Sequence, residues 1–154
     1  MTPGINVAKK AKIVHKVHGY VHEPSESYGL EASEKLGVHK DRVFKTLVVS
    51  LDNKDLAVGV IPVSSMLSMK LIAKAAGAKR AIMAHQSEVE RSTGYVLGGV
   101  SPLGQKKRLK TIIDSSAKNH STVYVSAGRR GLEIELSPTD LVKLVNGYVA
   151  KICR

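Results

Sequence analysis

Arg42-Val43-Phe44-Lys45-Thr46-Leu47-Val48-Val49-Ser50-Leu51 is followed by Asp52-Asn53-Lys54-Asp55 and then by Leu56-Ala57-Val58-Gly59-Val60-Ile61. The first and third runs are dominated by β-branched and other apolar residues. The polar tetrad between them has turn composition. The pattern predicts a β-hairpin, strand 42–51 against strand 56–61. Consecutive strands joined this tightly rule out a helical bundle and a strict βαβ alternation.

Helix and strand signals lie on both sides. Pro3 opens a helix expected over 4–16, and Val17–His22 alternates like a strand, placing His18, Tyr20 and His22 on one face. Pro24, Ser25 and Ser27 read as a loop before a helix at 29–36, which Gly37 closes. Beyond the hairpin, a helix is expected at 69–76, ended by Gly77, and a strand at Lys79–Met83. A short helix at 88–92 has capping-box spacing in Ser87 and Glu90. Strands follow at Leu109–Ile113, Thr122–Ser126 and Leu132–Leu136, and Ser137-Pro138 starts a last helix. The order predicts a single α/β domain over residues 1–154, with a mixed, partly antiparallel sheet flanked by helices.

Between helix 88–92 and the later strands lies Gly94-Tyr95-Val96-Leu97-Gly98-Gly99-Val100-Ser101-Pro102-Leu103-Gly104-Gln105-Lys106-Lys107-Arg108. Its glycines bend the backbone and its cations follow at once, a combination suited to an anionic or carbonyl-bearing ligand and equally to a plain surface loop. It is not a phosphate-binding P-loop. Gln105 stands where that motif needs lysine, and no hydroxyl follows for magnesium.

The net charge of +11 points to a polyanionic partner. One Phe, five Tyr and no Trp are too few for a base-stacking platform, so contact through phosphates is expected. No apolar run reaches membrane-spanning length, and no signal-peptide pattern follows Met1, so a cytoplasmic location with no membrane partner is expected. The lone Cys153 excludes an intrachain disulfide and a Cys-x-x-Cys metal site. His15, His18 and His22 have no metalloprotease glutamate between them, and no Gly-x-Ser-x-Gly elbow is present. Neither a metal nor a cofactor is expected. Lys45, inside an apolar strand, is either an exposed strand lysine or a pocket ammonium that steadies negative charge.

Three ordered segments carry a family resemblance: Val43-Phe44-Lys45-Thr46-Leu47; Arg91-Ser92-Thr93-Gly94-Tyr95 running into Gly98–Lys107; and Tyr124–Ile134. With these the chain resembles, over nearly its whole length, the YbaK family of aminoacyl-tRNA deacylases, related to the editing domain of bacterial prolyl-tRNA synthetases. The resemblance implies a partly closed, barrel-like mixed sheet flanked by helices. It implies trans-editing: removal of cysteine from mischarged tRNA(Pro), with tRNA(Cys) a second candidate, and prolyl-tRNA synthetase as partner. Lys45 becomes the pocket lysine with Thr46 beside it; Tyr20 and Tyr28 line the pocket; Gly98 and Gly99 offer backbone N–H groups near the ester; Ser126 forms the opposite wall. Glu133 stands where Asp is usual, and Tyr28 where Phe is commoner. The basic residues Lys106, Lys107, Arg108, Arg129 and Arg130 become tRNA contacts. The family chemistry uses the substrate's own thiol, which fits the missing nucleophile. Two other readings stay open from sequence: editing of alanyl-tRNA by bound water, and a non-catalytic tRNA- or synthetase-binding module.

Overall fold

A computed structural model describes residues 1–23 and 28–154, without the side chain of Tyr28. The expected loop at Pro24, Ser25 and Ser27 lies outside the described residues.

The expected hairpin forms as β2 (Phe44–Leu51) and β3 (Asp55–Pro62), in antiparallel register from Phe44↔Pro62 to Leu51↔Asp55. Asp52 and Asn53 both take positive φ, the backbone that a tight, right-twisted hairpin requires. Around it the five-stranded sheet runs β4 (Ala81–Met83), β2, β3, β5 (Lys110–Asp114), β8 (Tyr148–Ala150). β5 joins β3 in parallel, and β8 joins β5 in parallel. β3 is central and covered on both faces: residues 57–62 are all buried. That explains its unbroken apolar run.

A second, antiparallel sheet has the order β1 (His15–Gly19), β7 (Leu132–Leu136), β6 (Val123–Arg129). One isolated bridge, Val43↔Tyr124, connects β6 to the start of the hairpin. The expected barrel-like closure is therefore replaced by two sheets that meet at a corner.

The main core fills the space between the sheets. Phe44, Val48, Val58 and Val60 pack toward Val123, Val125, Ile134 and Leu136. Ile5 and Ala8 of α1 (Pro3–Lys10) and Leu141 of α5 (Pro138–Val145) complete it. The other face of the five-stranded sheet carries a second core, in which Val49, Ile61 and Ile112 meet Ile72 and Ala73 of α3 (Met69–Ala75) and Ile152. Among the described residues no helix is long and apolar enough to cross a membrane.

Several boundaries differ from expectation. α1 stops at Lys10 because Lys12 adopts positive φ, so residues 15–19 pair with β7 instead of extending the helix. α2 (Tyr28–Leu36) and α5 match closely, and Ser137 accepts the Asp140 N–H as the expected N-cap. α4 (Gln86–Thr93) begins ahead of the supposed capping box: its N-cap is His85, without a side-chain cap bond. Glu90 turns forward instead and accepts the Leu97 N–H at 3.1 Å.

Candidate active site

β4 pairs only with residues 49–51 of β2, which leaves the first half of β2 as an open sheet edge. The Ala84 N–H bonds the Val48 carbonyl and the Asp52 N–H bonds the Arg80 carbonyl, so even-numbered residues of β2 present their backbone groups to this edge. Thr46 therefore offers its backbone there, just where β4 has ended. A cavity of about 250 Å³ wraps this edge, and Lys45, Thr46, Gly98, Ser126, Glu133 and Tyr20 all line it. The Thr46 hydroxyl is buried on the pocket wall without a hydrogen-bond partner among the described residues. Lys45 is half-buried and makes no ion pair among the described residues. An unpaired ammonium on a concave wall is a ready counter-charge for a developing anion.

Glu133 is only 6% exposed. It lies opposite His18 on β1 and opposite Ser126 on β6. Burial pushes its carboxyl up to about 8, so the acid is largely neutral at pH 7. Tyr20, whose N–H bonds the Gly131 carbonyl, stands close by; burial and the field of Glu133 raise its phenol.

The two glycines play different parts. The turn 96–99 closes with the Gly99 N–H on the Val96 carbonyl at 2.9 Å, so that N–H is already committed. Gly99 is needed for close approach: a Cβ there would stand 2.7 Å from the Arg129 Cα and 2.9 Å from the Arg130 backbone N. Gly98 has φ +97, lines the pocket, and keeps an N–H with no partner among the described residues. Of the two N–H groups expected near the ester, that of Gly99 is bonded within its own turn, and that of Gly98 has no partner among the described residues. Gly99→Ala is expected to lower unfolding free energy by about 1–3 kcal/mol, because backbone cannot yield to the new methyl. Urea denaturation checks this, and an unchanged midpoint would contradict the packing.

Sequence reasoning missed the buried Glu31 of α2. Its carboxylate accepts the Glu23 N–H at 2.6 Å, and it pairs with Lys35 at 3.1 Å and Arg130 at 3.0 Å. Burial works to raise its pKa, but the bonds from Glu23, Lys35 and Arg130 outweigh it and hold the carboxyl below its usual range. Arg130 also donates to the Glu23 carbonyl, so it ties the β6–β7 connection to α2 across the pocket. Its charge is partnered, whereas Arg129, Lys106, Lys107 and Arg108 are exposed. Lys107 and Arg108 border a separate shallow cavity. The side chain of Tyr28 lies outside the described residues. Of the three same-face residues expected at 18–22, only Tyr20 lines the pocket. His18 bonds Glu135 at 2.9 Å and His22 is exposed, because β1 ends at Gly19.

Known proteins share this chain's sequence and fold. Residues 22–144 match the aminoacyl-tRNA editing domain. EbsC of Enterococcus faecalis, provisionally named a Cys-tRNA(Pro)/Cys-tRNA(Cys) deacylase, is 36% identical over 151 residues, covering 98% of this chain and 92% of that protein. The uncharacterized YwhH of Bacillus subtilis is 30% identical over 77% of this chain and 75% of its own. In structure, the hypothetical protein APE2540 superposes with TM-score 0.88 at 26% identity, covering 99% of this chain and 100% of its own. A protein described provisionally as a trans-editing enzyme for prolyl tRNA synthetase superposes with TM-score 0.84 at 20% identity, covering 100% and 99%. The domain match over most of the chain, together with the 36% identity to EbsC over nearly its whole length, makes this protein a member of the aminoacyl-tRNA editing domain family.

Proposed function

We propose that this deacylase clears cysteine from mischarged tRNA(Pro), and that the cysteine thiol is the nucleophile. The supporting observation is the composition of the pocket. Among the described residues its lining holds the Lys45 ammonium, the Arg130 guanidinium, the Gly98 N–H, three hydroxyls (Tyr20, Thr46 and Ser126) and the Glu133 carboxyl, but no histidine or cysteine to form a nucleophile–base pair. Such a lining suits orienting and stabilising a substrate that brings its own nucleophile.

In this reading the aminoacyl group enters between β2 and the 96–99 turn. The substrate sulfur attacks its own ester carbonyl, and the thiol proton passes to the ribose oxygen as the C–O bond breaks. A four-membered thiolactone leaves, and water later opens it to cysteine. Holding the thiol over the carbonyl supplies several kcal/mol through orientation. Lys45 and the Gly98 N–H stabilise the oxyanion. Glu133, Tyr20 and Ser126 hold the amino group end, with Thr46 completing the wall. Glu31 and Arg130 act as positioning residues that fix α2 against the β6–β7 connection.

The exposed cations Arg129, Lys106, Lys107 and Arg108 meet tRNA phosphates, and prolyl-tRNA synthetase supplies the reading of tRNA identity. At subsaturating tRNA, kcat/KM is expected to fall about 10–100-fold between 50 and 200 mM salt, as three or more released counterions require. A flat profile would count against phosphate contact. The activity itself is tested with purified protein on Cys-tRNA(Pro) and Ala-tRNA(Pro) side by side. Clearance of cysteine alone is expected; clearance of both would move the reading to attack by water, and clearance of neither would leave a binding module.

A further inference from the structure

Lys45 lines two cavities. Besides the pocket, it borders a groove of about 560 Å³ on the other side of the open β2 edge, shared with Leu47, Met66, Met69, Met83 and Arg154. Odd-numbered residues of β2 face this side: Leu47 and Val49 both pack on the second core. Met83, the last residue of β4, pairs with Val49 and looks onto the same groove. Met66 is 59% and Met83 47% exposed, so thioethers are held open to solvent beside a lysine.

The groove is built, not loose. The buried Asp114 carboxylate accepts the Ile152 N–H at 2.9 Å and the Cys153 N–H at 3.3 Å. The tail then clips the 66–68 segment: the Ser68 N–H bonds the Ile152 carbonyl, and the Arg154 N–H bonds the Met66 carbonyl. Two cations, Lys45 and Arg154, line the groove, with the Arg154 guanidinium donating to the Met66 sulfur at 3.6 Å, and no carboxylate lines it among the described residues.

Covalent chemistry names the occupant. An aminoacyl ester is attached to the ribose of the tRNA's terminal adenosine, so that nucleoside must lie one short step from the ester. Thioethers make favourable contacts with aromatic rings. We propose that this groove seats the terminal adenosine, its base against Met66, Met69 and Met83 and its phosphate toward Arg154. The assignment rests on the deacylase reading above, and Lys45 marks the boundary between aminoacyl and nucleoside sites.

The test uses full-length protein labelled with ¹³C at the methionine methyls, which gives four signals from four methionines. On titration with AMP, the signals of Met66, Met69 and Met83 are expected to shift together while that of Met1 stays still. Met83→Asp and Arg154→Ala, both at solvent-open positions, are expected to weaken the AMP response. Each should raise KM for cysteinyl-tRNA at least tenfold with kcat within twofold. A wild-type protein that leaves cysteinyl-tRNA intact would defeat the deacylase reading. Normal clearance with no selective methyl shift, and unchanged KM in both variants, would overturn the groove assignment alone and leave that face to a protein partner.

Discussion

Lys45→Ala is expected to lower kcat for cysteinyl-tRNA deacylation about 10²–10³-fold, the usual cost of removing one preorganised donor from a developing oxyanion. The side chain lines the pocket and the adjoining groove, and it makes no ion pair among the described residues whose loss would disturb the fold. Stability should therefore change by less than about 1 kcal/mol, the range of a half-exposed substitution that leaves no unpaired charge. Lys45→Arg keeps the charge but replaces a compact ammonium by a planar fork, so only partial recovery is expected. Single-turnover rates with preformed cysteinyl-tRNA, alongside urea denaturation of each variant, check both halves. A Lys45→Ala rate within twofold of wild type would remove Lys45 from the mechanism.

The second large effect concerns Glu133 and pH. Its folded-state pKa of about 8 lies above the ordinary 4.5 because the carboxyl is desolvated. The folded protein therefore holds a proton that the unfolded chain has released. The stabilisation is complete below about pH 4.5 and is lost progressively as pH rises to about 8. A shift of that size amounts to a loss on the order of 4–5 kcal/mol across the window. Glu133→Gln is neutral at every pH and lacks this slope, so its stability relative to wild type should climb between pH 5 and 8 and level off above. Urea midpoints measured across that range would show it. Parallel curves for the two proteins would mean that Glu133 is solvated and ionised in the folded state.

The hairpin was legible because two independent signals agreed, an apolar β-branched run on each side of a polar turn. The last helix was legible from its cap. β8 was not, since Tyr148–Ala150 is three residues long and exists only by pairing with Ile112–Asp114. α1 was drawn too long because apolar spacing continues past Lys10, while the positive φ at Lys12 has no signature in a lysine. Of the site, Lys45 stood out as a charge in an apolar strand. Gly98 and Gly99 stood out as a pair, but only their tertiary neighbours separate a pocket N–H from a packing position. Glu31 reads as any helix-surface glutamate in sequence; its partner Arg130 lies 99 residues later. The methionine groove is invisible in sequence, because its residues come from four separate segments: β2, residues 66–69, β4 and the C-terminal tail.

If the pocket only orients a substrate that attacks itself, capping the substrate sulfur must stop the reaction. The most direct measurement compares deacylation of cysteinyl-tRNA(Pro) with that of S-methylcysteinyl-tRNA(Pro), in which the nucleophile is capped and the ester is intact. Rapid loss of cysteine and only background hydrolysis of the capped substrate are expected, even where both bind. Comparable clearance of the two would show that water attacks, and would contradict the thiol mechanism.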